Sequence, residues 1–235
     1  MARPEKICGI LGGMGPEATV HLLNKIIQST RASEDGEHVR CLVDQNPQVP
    51  SRILAIMRGG ADPGPVLEEM AAALEAQGAD FLCMPCNTAH YWLPRIAARV
   101  GIPFLDMPAL ACADAAKSAR GGKCGILGTT ATRDKAIYEP HCLSAGMQAI
   151  YPDEERQAEV LKIINEVKAG DYSGGQRFAQ IASDLAAAGA GALILACTEL
   201  SVLGLPASVP CAVVDALDSL AKAVVAQAGA SLKTA

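Results

Sequence analysis

Short apolar runs alternate along the chain with longer stretches in which apolar residues return every three or four positions. The short runs, at 6–11, 39–44, 80–84, 103–106, 123–128, 192–196 and 211–215, have the length of buried strands. The longer stretches predict helices at 16–29, 65–77, from just after Cys86 to 100, 108–119, 134–145, 154–169, 175–188 and 218–228. Alternation of this kind implies βα units, a mainly parallel sheet and right-handed crossovers.

The pattern also repeats. Cys8-Gly-Ile-Leu-Gly12 returns letter for letter as Cys124-Gly-Ile-Leu-Gly128, an offset of 116. Gly78-Ala79 followed by Cys86 returns as Gly189-Ala190 followed by Cys197, an offset of 111. Ile102-Pro103 leading to Asp106 returns more loosely as Val209-Pro210 leading to Asp215. Three matches in one order predict two homologous α/β lobes related by a pseudo-twofold axis. Ligands of open α/β sheets sit outside the carboxyl ends of the strands. Cys86 and Cys197 end matching strands, so the symmetry predicts two thiols aimed at one ligand.

Composition narrows the function. Half the residues are hydrophobic but only 3% are aromatic, which suits helices on parallel strands better than a β-sandwich. The formal charge is −5 with no long basic run, which argues against nucleic acid or an anionic membrane as partner. An anionic substrate would need a local field opposed to the global one. The opening MARPEKICGILGG reads as a first strand rather than a signal peptide, and no apolar run is long enough for a bilayer. Nine cysteines without a secretion signal predict a reducing, cytoplasmic setting and no disulfides.

The chemistry gathers where strands end. Cys86 lies in Met84-Pro-Cys-Asn-Thr-Ala-His90, and Cys197 lies in Leu195-Ala-Cys-Thr-Glu-Leu200. Asn87, Thr88 and Thr198 are natural N-cap residues, and a thiol at a helix N-terminus has its thiolate favoured. Cys83 and Cys86 fit a C-x-x-C spacing, but Cys83 falls inside a strand and is expected in the core. Zinc on Cys83, Cys86 and His90 lacks a fourth ligand, and no metal site is predicted. Gly12, Gly13 and Gly15 open a helix at Pro16 and let the backbone approach an anion, in the wrong order for a dinucleotide fingerprint. In the second lobe Gly128 is followed by Thr129, Thr130 and Thr132, hydroxyls suited either to a carboxylate or to helix capping. Two prolines stiffen Asn46-Pro-Gln-Val-Pro-Ser-Arg52, so Arg52 is held and offers a bidentate fork. Lys168 stands at a helix end, where a cation is favoured in any case.

These motifs resemble a known family. GILGGMGPEAT, NPQVPSR, MPCNTAHYW, EVKAGD and ACTEL, in that order, are similar to the microbial aspartate racemases of the aspartate/glutamate/hydantoin racemase superfamily, from residue 7 to about residue 220. The resemblance implies an α/β fold of two Rossmann-like lobes with the active site in the cleft between them. It implies a first lobe of 1–106 plus 212–235 and a second of 107–211. It makes Cys86 and Cys197 the acid/base pair of an isomerase that uses no cofactor. Arg52 and Lys168 would bind substrate carboxylate, and Met14, Asn87, Thr88, Thr129, Thr130, Thr132, Thr198 and Glu199 would line the site. The substrate would be a dicarboxylic amino acid and the assembly a homodimer. Glutamate racemases carry Asp-Ser-Gly after the first strand and Cys-Thr-His near the second thiol. Here Gly12-Gly13-Met14 and Cys197-Thr198-Glu199 stand instead, which moves the chain away from strict glutamate racemases and argues against glutamate as sole substrate; the resemblance implies interconversion of L- and D-aspartate, with glutamate open as a further substrate. Alternatives are a maleate isomerase or hydantoin racemase of the same superfamily, or a non-catalytic amino-acid-binding protein.

Overall fold

The computed structural model describes residues 4–119, 122–205 and 209–233. In chain order they form β1 (Cys8–Gly12), α1 (Pro16–Ser29), β2 (Cys41–Gln45), α2 (Arg52–Arg58), α3 (Gly64–Ala76), β3 (Phe81–Cys83) and α4 (Leu93–Ala97). There follow α5 (Met107–Ser118), β4 (Lys123–Gly128), α6 (Thr130–Asp134), α7 (Glu139–Ser144), β5 (Gln148–Ile150) and α8 (Glu154–Lys168). The chain ends with α9 (Gly175–Ala187), β6 (Ala192–Ala196), α10 (Thr198–Leu203), β7 (Ala212–Asp215) and α11 (Ala216–Gln227). It divides into two compact units: the residues up to Met107 with those from Leu217 onward, and Pro108–Ala216. Helices α5 and α11 each change unit after their first residue.

In the first unit the sheet order is β2-β1-β3, all parallel, with Cys8 level with both Cys41 and Phe81. In the second it is β5-β4-β6-β7, again all parallel. Outside β3, Phe104 makes one parallel bridge to Leu82. Leu82 N–H donates to Pro103 O, and Leu105 N–H donates to Leu82 O, both at 2.8 Å. The strand predicted at 103–106 is reduced to this bridge because Pro103 has no N–H to give and α5 begins at Met107. With that bridge included, the two sheets share one order. The predicted first-lobe segment began at 212, but β7 pairs with β6 through Ala192 and Ala212, so the chain leaves the second unit only after β7.

Central strands β1 and β6 are buried at every position, which is why they read as unbroken apolar runs. The repeat is visible in the packing. Helix α3 buries Leu67, Met70, Ala71 and Leu74, and α9 buries Phe178, Ile181, Ala182 and Leu185. Both are i, i+3, i+4, i+7 faces at a constant shift of 111. Each large apolar side chain so buried contributes about 1.5–3 kcal/mol. A Cβ at Gly9 would stand 2.6 Å from Leu82 Cδ2 and 3.0 Å from Ala79 Cβ. One at Gly125 would stand 2.5 Å from Leu193 Cδ2 and 3.2 Å from Leu185 Cδ1. The repeated Cys-Gly-Ile-Leu-Gly therefore reflects one packing requirement met twice.

Two predicted helices come out differently. After Cys86 the chain makes a 3-10 turn, Thr88–Trp92, and then α4, rather than one helix to residue 100. Pro94, second in α4, cannot donate to the preceding turn. The helix predicted at 134–145 splits into α6 and α7, parted by Ala136 at φ 51° and restarted at Pro140. No helix among the described residues is long and apolar enough to cross a membrane.

Candidate active site

Each unit gathers its chemically able residues at the carboxyl ends of its own strands, where parallel sheets bind ligands. In the first unit, Gly12-Gly13-Met14 follow β1. Thr19, buried on α1, receives the Gly13 N–H on its Oγ1 at 2.9 Å and ties the glycine turn to the helix. Met14 is buried and packs with Leu11, Val49 and Met84, and Cys86 lies partly buried against the same cluster.

Arg52 is the first residue of α2, a helix capped by Ser51, whose side chain accepts from Leu54 N–H at 3.3 Å. Its Nη1 donates to Val49 O at 3.1 Å and to Pro50 O at 3.0 Å. The stiff segment thus holds the guanidinium by one nitrogen, Nη1. Helix α2 packs against the 3-10 turn that follows Cys86, bringing the Arg52 and Cys86 segments together.

Cys86 sits in a tight turn in which its N–H donates to Met84 O at 2.9 Å. His90 fixes that turn. Its Nε2 accepts the Met107 N–H at 3.2 Å, so the ring proton is on Nδ1, which donates to Cys86 O at 2.9 Å. Sequence reasoning weighed His90 only as a zinc ligand. Its place four residues after Cys86 was the available signal for this clamp. His90→Ala should destabilise the protein by about 1–3 kcal/mol, because it orphans the buried Met107 N–H. Thermal melting checks this, and His90→Gln, which offers both a donor and an acceptor, should recover part of the loss. Asn87 and Thr88 are buried beside Cys86; Asn87 precedes the 3-10 turn without a side-chain cap bond, and Thr88 is the first residue of that turn. Cys83, the other sulfur of the C-x-x-C spacing, packs in the core 3.6 Å from Cys8 Sγ. Among the described residues there is no cluster of three or more His, Cys, Asp or Glu suited to a metal.

In the second unit, Thr129 caps α6. Its Oγ1 accepts from Thr132 N–H at 3.2 Å and lies 3.0 Å from Thr132 Oγ1. Both hydroxyls are buried, that of Thr129 as the helix cap and that of Thr132 against it, while Thr130 is more open. Gln157, which the sequence did not single out, donates its Nε2 to Gly128 O at 2.9 Å and anchors the end of β4.

Cys197 is itself the N-cap of α10, with Thr198 the first helical residue rather than the cap. Its Sγ donates to Glu199 Oε2 at 2.9 Å, and Thr198 Oγ1 donates to the same oxygen at 3.2 Å. Lys168, the last residue of α8, places Nζ 3.6 Å from Glu199 Oε1. The helix terminus was expected to favour a Cys197 thiolate. Instead burial, then the Glu199 charge and hydrogen bond, push this thiol well above its ordinary range, with Lys168 pulling the other way. Helix α10 has only six residues, too short a dipole to offset burial beside a carboxylate.

A model of the Asp/Glu/Hydantoin racemase family matches residues 11–225. The structure is similar to Picrophilus torridus aspartate racemase at a TM-score of 0.82 and 32% identity, covering 97% of this chain and 96% of that one. It is also similar to a putative Asp/Glu racemase from Yersinia pestis, at a TM-score of 0.82 and 25% identity, covering 95% and 99%. In sequence it is 27% identical over 224 residues to the broad specificity amino-acid racemase RacX of Bacillus subtilis (strain 168), covering 92% of this chain and 96% of the relative. The matched span takes in both strand-end thiols and nearly all of both units, and on these findings the chain belongs to the Asp/Glu/hydantoin racemase family and is an isomerase.

Proposed function

We propose that the protein interconverts L- and D-aspartate, with glutamate as a second substrate, by proton transfer between Cα and two thiols. Cys86 and Cys197 act on opposite faces of one carbon, one as thiolate and the other as thiol, and their roles exchange with the enantiomer. The observation that carries this reading is the equivalence of the two thiols, each at the carboxyl end of the third strand of a repeated unit. Arg52, pinned by its own loop, binds one carboxylate of the substrate, and Lys168 binds the other. The N–H groups of Thr130 and Ala131, which the Thr129 cap does not use, offer donors at the start of α6 for charge that develops on the α-carboxylate. No cofactor is needed in this scheme. The free thiols fit a reducing, cytoplasmic setting, and the homodimer implied by the sequence motifs is part of the proposal.

Likeness to a broad-specificity racemase favours a second reading, in which uncharged amino acids are also taken. Chiral chromatography of the purified protein with each enantiomer of aspartate, glutamate and alanine, without pyridoxal phosphate, separates the two. Aspartate should racemise fastest. Alanine turning over as fast as aspartate would establish the broader activity, and no turnover of any substrate would refute both readings.

A further inference from the structure

The two thiols differ in their charged neighbours. Cys197 Sγ and Thr198 Oγ1 both donate to Glu199 Oε2, and Lys168 Nζ holds Oε1 from 3.6 Å. The Glu199 side chain is 13% exposed and that of Lys168 is 46% exposed, so the carboxylate is enclosed with the sulfur while its counter-ion reaches solvent. Loss of the thiol proton would leave two negative charges at hydrogen-bond distance with little water to screen them. Asp215, on β7, accepts from Ser201 Oγ at 2.6 Å, one turn further along α10. Within this unit, the charges bearing directly on Cys197 are therefore Glu199 and Lys168. The repeat makes the contrast plain: at the offset of 111, the place of Glu199 is taken in the first unit by Thr88, which is neutral.

We propose that Glu199 is a positioning residue that keeps Cys197 in its thiol form in the ligand-free enzyme, so that Cys197 enters turnover as the proton donor and Cys86 as the acceptor, with Lys168 limiting the hold. The assignment of Cys86 rests on the two-thiol reading above; the hold on Cys197 belongs to one unit alone. In the step, the Cα–H bond breaks and its proton passes to the Cys86 thiolate while the electron pair stays on the substrate. A new Cα–H bond then forms with the Cys197 proton, leaving Cys197 as thiolate and Cys86 as thiol. Loss of one proton from Cys86 to solvent and gain of one by Cys197 restores the starting form.

The test is the pH dependence of Cys197 alkylation by iodoacetamide, read by peptide mass spectrometry on the full-length protein. Glu199→Gln should move the half-alkylation pH of Cys197 down by about one unit or more, since a like charge within hydrogen-bond reach is removed. Lys168→Met should move it up, and Glu199→Asp should keep it near that of the parent protein. A purely structural role for Glu199 would not shift the midpoint in opposite directions for the two neutralised neighbours. An unchanged or raised midpoint in Glu199→Gln overturns the proposal. If that variant does not fold, an unchanged or lowered midpoint in Lys168→Met overturns it instead. Midpoints that move as expected in a protein that racemises nothing would uphold the hold on Cys197 and refute the two-thiol reading.

Discussion

Replacing either strand-end thiol by alanine is expected to lower racemisation by about 10²–10⁴-fold, the usual contribution of a positioned acid or base. Both variants should remain folded, because each removes only one sulfur atom, from a side chain at the end of a strand. The residual chemistry should be complementary. Cys197→Ala keeps the Cys86 base, so in deuterated water it should exchange the α-hydrogen of one enantiomer without inverting it. Cys86→Ala should exchange only the other enantiomer, and more slowly, because Glu199 holds the remaining Cys197 as a thiol. Racemisation at the parent rate in either variant, followed by circular dichroism at constant protein concentration, would contradict a mechanism that needs two sulfurs.

The second large effect is structural. Gly13 has φ 91°, and a Cβ there would stand 2.4 Å from both C and O of Asn46. The turn after β1 presses directly on the backbone leaving β2, and Asn46 N–H donates to Gly12 O at 3.4 Å. In Gly13→Ala a left-handed backbone costs about 1–2 kcal/mol, and overlap with rigid backbone adds about 1–3 kcal/mol. At about 2–4 °C of melting temperature per kcal/mol for a chain of this size, the drop is easily measured. Gly15→Ala is the control. Its φ is −96° and its Cβ would meet nothing within 4 Å, so it should lose only the N-cap preference for glycine over alanine at the start of α1, a smaller drop of about 1 kcal/mol. Because the Gly13 turn leads straight into Met14, activity should fall with stability in the first variant and persist in the second.

The α/β class and the two-fold repeat were legible because they rest on buried apolar positions. Strands β1 and β6 are buried throughout, and α3 and α9 each show one clean apolar face. The elements that escaped have no such face. Helix α2 buries none of its residues, and β5 is a three-residue edge strand with an exposed or half-buried pattern. Their positions are fixed by a cap at Ser51 and by pairing to β4, neither of which leaves a periodic trace. Prolines mark where the expected helices fail. Pro94 and Pro140 each restart a helix that hydropathy alone would run through.

In the candidate site, the thiols were readable as strand-end residues and Arg52 as a residue held by prolines. The state of Cys197 was not readable. Helix-terminus reasoning favours its thiolate, but the side chain of Glu199 folds back onto the sulfur, and burial removes the water that would have stabilised charge. That contact depends on rotamer and enclosure, not on spacing. The two assigned roles of Thr129 and Thr132, carboxylate binding or capping, were equally open in the sequence. The structure shows Thr129 as the cap of α6 with Thr132 Oγ1 against it, a contact that spacing does not record.

In the two-thiol reaction the α-proton leaves to one sulfur and a different proton arrives from the other. It is tested most directly by L-aspartate racemisation in deuterated water, with both enantiomers analysed over the first turnovers. D-aspartate should carry deuterium at Cα from the outset, while the remaining L-aspartate keeps its hydrogen. D-aspartate that retained the original α-hydrogen would mean that a single group carried it from face to face, and would rule out transfer between two sulfurs.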